Sequence, residues 1–266
     1  MQNHKNLREP SITSKTNRWI RLCMSLYQGN SKQENCFLVE GSKVFQSMLG
    51  KLKPLKILVP ASAADQLMEA EFQNLPCEVV DNVLWKKLSV HDSPPQLLGI
   101  FPRPNNPLSS LDKSADLLVL DRIQDPGNMG TLIRTAVASG WVNIICLKGC
   151  VDPFSPKVVR ASSGALCEVQ LFTDITQDDL DRAIEGHGFS TLLTSSHAEL
   201  ELKDLQLENL AKKCLVLGNE GSGIDASWQM KDSVKIKIPM TKSQSVESLN
   251  VAIAGALIMY KLKGLL

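Results

Sequence analysis

The chain is 266 residues long, 43% hydrophobic and nearly neutral, with 29 Lys and Arg against 28 Asp and Glu. That length suits one large domain or two small ones, and the apolar share excludes whole-chain disorder. Bulk charge names no partner. The seven cysteines (23, 36, 77, 146, 150, 167, 214) form no C-x-x-C pair, and several sit in apolar runs. They predict reduced, packed thiols. Four scattered histidines predict no metal site. The first thirty residues lack an apolar signal core, and the longest apolar stretch, Val251 to Tyr260, is too short to span a bilayer. These features predict a soluble, cytoplasmic α/β protein without a membrane segment.

In chain order, Lys15 to Tyr27 predicts a helix, with Trp19, Leu22, Cys23 and Leu26 at helical spacing. Phe37-Leu38-Val39 predicts a buried strand, and a helical pattern runs from Ser42 to Leu49. Lys56 to Val59 and then Gln66 to Phe72 repeat the strand–helix rhythm, and Cys77 to Val80 and Leu97 to Phe101 add two strands. A small α/β sandwich follows. Residues 1–60 hold ten Lys and Arg against three Asp and Glu, a net of +7, whereas the last 156 residues net −3. A basic leading segment fits contact with a polyanion, and a solvated basic face is the alternative. Pro102 to Ser110, with three prolines, is the linker candidate.

The second half is more regular. Leu117 to Leu120, Asn143 to Leu147, Val169 to Phe172, Thr191 to Leu193, Leu215 to Leu217 and Val234 to Ile238 predict strands. Helical patterns over Asn128 to Ser139, Pro156 to Leu166, Asp178 to Glu185 and Val246 to Leu262 separate most of them. That alternation implies a parallel sheet with helices on both faces.

Three segments depart from the pattern. In Asp121-Arg122-Ile123-Gln124-Asp125-Pro126-Gly127-Asn128-Met129-Gly130-Thr131-Leu132-Ile133-Arg134 a strand gives way to a turn and a helix carrying Arg134. As a loop residue Asn128 can face the same pocket as Arg134; the bland alternative is an N-cap Asn and a surface Arg. In Leu217-Gly218-Asn219-Glu220-Gly221-Ser222-Gly223 three glycines follow an apolar strand and let a backbone approach a ligand. The order G-x-x-G-x-G disfavours nicotinamide binding, and no Gly-Lys-Ser/Thr ending marks a P-loop. In Ile238-Pro239-Met240-Thr241-Lys242-Ser243-Gln244-Ser245-Val246-Glu247-Ser248-Leu249-Asn250 a strand ends, and Ser248 and Asn250 fall in the first turns of a helix whose N–H groups suit a polar ligand.

In this order the three segments closely resemble the signature motifs of the SpoU family of RNA ribose 2′-O-methyltransferases, in the knotted SPOUT class. The resemblance spans residues 114–264, and Arg160 to Ala165 resembles the family's loop between the first two motifs. Ile12-Thr13-Ser14 and Phe37-Leu38-Val39-Glu40-Gly41 resemble its accessory RNA-binding domain, although the basic cluster usual before that strand is here Tyr27-Gln28-Gly29-Asn30-Ser31-Lys32-Gln33-Glu34-Asn35. The resemblance implies an RNA-binding domain over 1–105 and a catalytic domain over 106–266, whose parallel sheet ends in a deep trefoil knot. It implies S-adenosyl-L-methionine held largely by backbone groups of Leu217, Gly218, Gly221, Ile238, Met240, Ser248 and Leu249. It implies Arg134 at the reacting ribose, positioned with Asn128, Glu220, Ser248 and Asn250. A guanidinium is a poor base, so Arg134 is read as a phosphate ligand and alkoxide stabiliser. The expected partners are RNA, with ribosomal RNA ahead of transfer RNA, and a second copy of the chain, through helices that include the small-residue face Ala252, Ala254, Gly255, Ala256. Arg18, Arg21, Lys32 and Lys43 are the RNA-contact candidates. The alternatives are an inactive RNA-binding relative and an enzyme using NAD or ATP.

Overall fold

The computed structural model describes residues 9–65, 72, 74–88, 94–225, 228, 233–241 and 248–266. It divides into two compact units, Met1–Arg103 with Phe154–Cys167, and Pro104–Pro153 with Glu168–Leu266.

The first unit carries α1 (Arg18–Tyr27), α2 (Ser31–Glu34), β1 (Cys36–Glu40), α3 (Ser42–Leu49), β2 (Lys56–Pro60), β3 (Cys77–Val80), α4 (Asn82–Leu88) and β4 (Leu98–Pro102). The strands form a mixed sheet in the order β1-β4-β2-β3, with β4 antiparallel to both its neighbours and β3 parallel to β2. Alternation along β1 and β4 sends successive side chains to opposite faces. Leu38, Leu98 and Ile100 pack with Ile20, Cys23 and Leu26 of α1 and with Leu84, Trp85 and Leu88 of α4. Phe37 and Phe101 belong to an aromatic cluster with Phe45 and Phe154, at centroid distances of 5.2 to 6.0 Å. Gly99 leaves room for it, since a Cβ there would lie 2.5 Å from the Phe45 ring.

The helix expected from Lys15 begins three residues later, because the Asn17 side chain accepts the N–H of Trp19 and caps α1. The short helices α2 and α4 escaped the periodicity reading, and the helix expected over 66–72 lies outside the described residues save Phe72.

The second unit is a seven-stranded sheet of β5 (Leu117–Leu120), β6 (Asn143–Leu147), β7 (Gln170–Ile175), β8 (Phe189–Thr194), β9 (Leu200–Glu201), β10 (Lys212–Leu217) and β11 (Val234–Lys237). Their order is β7-β6-β5-β10-β8-β11-β9, and every pairing is parallel. All four β5 residues are fully buried, as expected of a parallel strand covered on both faces, and each such side chain contributes about 1.5–3 kcal/mol. Helices α5 (Pro126–Ala138), α7 (Gln177–Ile184) and α8 (Val251–Leu262) belong to this unit, while α6 (Pro156–Ser162) belongs to the first. No helix among the described residues is long and apolar enough to cross a membrane.

Two helix boundaries depart from expectation. The helix expected over Pro156 to Leu166 stops at Ser162, because Ser163 (φ 53) and Gly164 (φ 94) turn left-handed. The helix expected from Val246 begins at Val251, so Ser248 and Leu249 precede it. Asn250 is its N-cap, and the Asn250 side chain accepts the N–H groups of Ala252 and Ile253. Two of the N–H groups that open the observed helix are therefore taken by its own cap.

The small-residue face of α8 turns partly inward. A Cβ on Gly255 would lie 2.6 Å from Leu132 Cδ2 of α5 and 2.8 Å from Leu217 Cδ1 of β10. Gly255 therefore sets the approach of α8 to α5.

Candidate active site

β5 and β10 lie side by side, but the chain leaves them for opposite ends of the sheet: β6 and β7 continue on one side, β8, β11 and β9 on the other. Loops that part in this way open a crevice at the carboxyl ends of the strands, the usual ligand position in an open parallel sheet. Residues 121–125 follow β5, residues 218–225 follow β10, and residues 238–241 follow β11. All three predicted motifs contribute to that edge.

A side-chain relay joins the three. Because the Asn250 Oδ1 caps α8, its amide nitrogen faces away and donates to Asn128 Oδ1 at 3.0 Å. The Asn128 Nδ2 then donates to Glu220 Oε1 at 2.8 Å. Each amide has one donor end and one acceptor end, so the cap on α8 sets the polarity of the chain, which finishes on a carboxylate. Asn128 is neither a loop residue nor an N-cap. Asp125 caps α5 by accepting the Asn128 N–H at 2.8 Å, with Pro126 in the first helical position. Asn128 therefore points from the first turn of the helix toward Glu220.

Arg134 stands apart from the relay. Six helical residues place it about 120° around α5 from Asn128. It is exposed, and its side chain has no ion pair or hydrogen bond among the described residues. Ser248 is also exposed, two residues before the cap of α8.

The predicted cofactor residues line the same edge. Leu217 and Gly218 are buried at the end of β10, Gly221 is exposed, Ile238 and Leu249 are half-buried, and Met240 is exposed. The absent side chain of Gly218 answers first to the protein itself. A Cβ there would overlap the backbone of Gly223 and Ile224, with Gly223 O at 2.6 Å. Two backbone groups assigned to a ligand already have partners: Leu217 O accepts the Asp121 N–H at 2.8 Å, and the Gly221 N–H goes to Asn219 Oδ1 at 2.9 Å. A carbonyl keeps a second lone pair, so Leu217 O can still accept.

Asp121, Arg122 and Asn219 were missed as site residues. Asp121 is buried, and its carboxylate takes Arg122 Nε at 2.9 Å. That hydrogen bond, with the charges of Asp121 and Asp225, raises the Arg122 guanidinium above its ordinary pKa and keeps it charged. An Asx residue one glycine past a buried strand, inside a glycine run, is the signal that could have found Asn219. No comparable signal marks Arg122. Among the described residues no group of three or more His, Cys, Asp or Glu side chains is placed to hold a metal ion.

The family model described as the SpoU rRNA Methylase family matches residues 116–260, which include every residue of this relay and of the Asp121–Arg122 pair. The chain belongs to the SpoU rRNA methylase family. With membership comes the trefoil-knotted SPOUT fold. The chain is 27% identical over 231 residues to a 23S rRNA (guanosine(2553)-2′-O)-methyltransferase of Bacillus subtilis, covering 86% of this chain and 89% of that one. Among solved structures, the AdoMet-bound rRNA methyltransferase of Sinorhizobium meliloti superposes with a TM-score of 0.83 at 24% identity, over 96% and 97% of the two chains. An RNA 2′-O ribose methyltransferase superposes with a TM-score of 0.77 at 27% identity, over 96% and 99%.

Proposed function

We propose that the protein transfers a methyl group from S-adenosylmethionine to a ribose 2′-hydroxyl of ribosomal RNA. The observation that carries the reading is the Asn250–Asn128–Glu220 relay, which brings one residue from each of the three motifs to the carboxyl edge of the sheet.

The edge suits that cofactor. Ile238, Met240 and Leu249 offer apolar flanks for an adenine, and the exposed backbone of Gly221 and Ser222 offers carbonyls. S-adenosylmethionine, when bound, supplies an electrophilic methyl group. The protein's own residues then have two tasks. They hold the acceptor ribose in line, since orientation alone can supply up to about 7–11 kcal/mol. They also stabilise the oxygen as its proton leaves. Arg134 binds the neighbouring phosphate and the developing alkoxide charge rather than acting as base. Asn128, Glu220, Asn250 and Ser248 orient the ribose, and the proton leaves through phosphate or water.

Ribosomal RNA is favoured over transfer RNA because the Bacillus relative that names a ribosomal substrate matches along nearly its whole length. The purified protein, offered unmodified 23S rRNA and tRNA transcripts in equal amounts, should methylate the ribosomal one. Preferential labelling of the tRNA would reverse that assignment. A cytoplasmic location belongs with the same reading, and the seven cysteines are all free thiols.

The first unit grips the RNA in this proposal. Arg18 and Arg21 are exposed on α1, Lys32 on α2 and Lys43 on α3. Replacing all four by Gln should weaken RNA binding and lower its salt slope by about one unit for each phosphate no longer neutralised. A salt series on both proteins reads this directly, and an unchanged slope would leave the four residues as a solvated face.

A homodimer completes the proposal. Ile253 and Leu257 are 54% and 39% exposed on α8, opposite the inward face of Ala252 and Gly255, and offer an apolar ridge to a second copy.

A further inference from the structure

The loop after β10 is held by a side chain to which the family motifs and the relay assign no role. Arg122 sits at φ 56, a left-handed conformation that disfavours any residue with a Cβ and persists where its surroundings over-determine it. All three guanidinium nitrogens are engaged. Nε donates to Asp121 Oδ1 at 2.9 Å, and Nη2 donates to Asp121 Oδ2 at 3.3 Å and to Gly223 O at 3.2 Å. Nη1 lies 3.3 Å from Asp225 Oδ2. Asp121 Oδ2 also accepts the Asp225 N–H at 2.9 Å.

The backbone of Arg122 completes the tie. Asn219 Nδ2 donates to Arg122 O at 3.0 Å, while Asn219 Oδ1 gathers the N–H groups of Gly221 and Ser222 at 2.9 and 3.0 Å. Asn219 and Gly223 exchange both backbone hydrogen bonds at 3.0 Å. The glycine loop is therefore closed on itself and fastened at both ends to the residues that follow β5.

We infer that Arg122 is a positioning residue for the cofactor: its guanidinium, anchored on buried Asp121, sets the shape of loop 218–223 and through it the affinity for S-adenosylmethionine. The inference rests on the cofactor reading above. An exposed ion pair would contribute little, but the Asp121 side chain is 4% exposed, and removing its partner leaves a buried charge uncompensated. Lysine cannot replace the fork, because a point charge reaches Asp121 or Gly223 O but not both in one plane.

The test uses the full-length protein with Arg122→Met and Arg122→Lys. Calorimetry measures S-adenosylmethionine affinity, and amide hydrogen exchange without cofactor follows Gly221 to Gly223. Arg122→Met should bind about tenfold more weakly or worse, exchange faster across those amides, and keep kcat at saturating cofactor within about threefold. Arg122→Lys should fall between. A folded Met variant with wild-type affinity and unchanged exchange overturns the inference, as does a fall in Tm alone. If the Met variant does not fold, the Lys variant decides: an affinity loss of about threefold or more supports the role, and none removes it. Wild-type protein that fails to bind S-adenosylmethionine contradicts the cofactor reading instead. The exchange measurement still reports on the Arg122 clamp in that event, and unchanged exchange overturns it.

Discussion

Arg134→Ala should lower kcat for methyl transfer by about 10²–10³-fold or more while S-adenosylmethionine affinity stays within a few-fold of wild type. Arg134 is exposed on α5 and its side chain makes no hydrogen bond or ion pair among the described residues, so the fold has little to lose. Surface substitutions of this kind shift stability by about 0.5 kcal/mol or less. Activity and stability therefore separate. Arg134→Lys keeps the charge but not the planar fork and should recover only part of the rate. The measurement is single-turnover methylation with saturating cofactor, beside calorimetry on the same sample. Near-normal turnover of Arg134→Ala would remove this residue from the chemistry.

Gly218→Ala should abolish cofactor binding and destabilise the second unit by about 1–3 kcal/mol. The cause is not a side chain in the ligand's path. The added Cβ would collide with the backbone of Gly223 and Ile224, which is not the movable end of a flexible side chain. The loop must open to accommodate it, and the paired backbone bonds between Asn219 and Gly223 must lengthen. Gly221→Ala is the control, because a Cβ there meets only Asn219 Oδ1 at 3.6 Å, an ordinary contact. Calorimetry and thermal unfolding of both variants should show a large loss at 218 and a small one at 221. Equal effects at the two glycines would contradict the packing argument.

The contrast between these glycines shows where sequence reading reaches its limit. A glycine run after an apolar strand was legible as a loop that approaches something closely. What it approaches was not, because Gly223 returns to Gly218 through a left-handed turn (φ 68) that periodicity cannot see. The strands of the parallel sheet were legible wherever they lie buried on both faces, as Leu117–Leu120 does. The two-residue β9, half-buried at the sheet edge, is too short to carry a periodic signal. Helix ends shifted where a side chain competes for backbone N–H groups: Asn17 delays α1 and Asn250 delays α8. The same Asn250 cap that shortened α8 also orients the relay, so an error of five residues in a boundary concealed how the three motifs meet. Arg122 was invisible for a different reason. Its role depends on partners about a hundred residues away in the chain, Gly223 and Asp225.

Methyl transfer to a ribose oxygen leaves a bond that can be read from the product. Purified protein is incubated with methyl-labelled S-adenosylmethionine and unmodified 23S rRNA, and the RNA is then hydrolysed with alkali. A 2′-O-methyl group removes the hydroxyl that alkaline cleavage needs, so the label should emerge in alkali-resistant dinucleotides, and Arg134→Ala should yield almost none. Label recovered in mononucleotides would place the methyl group on a base, and unlabelled RNA would mean no transfer; either outcome would contradict ribose methylation by this protein.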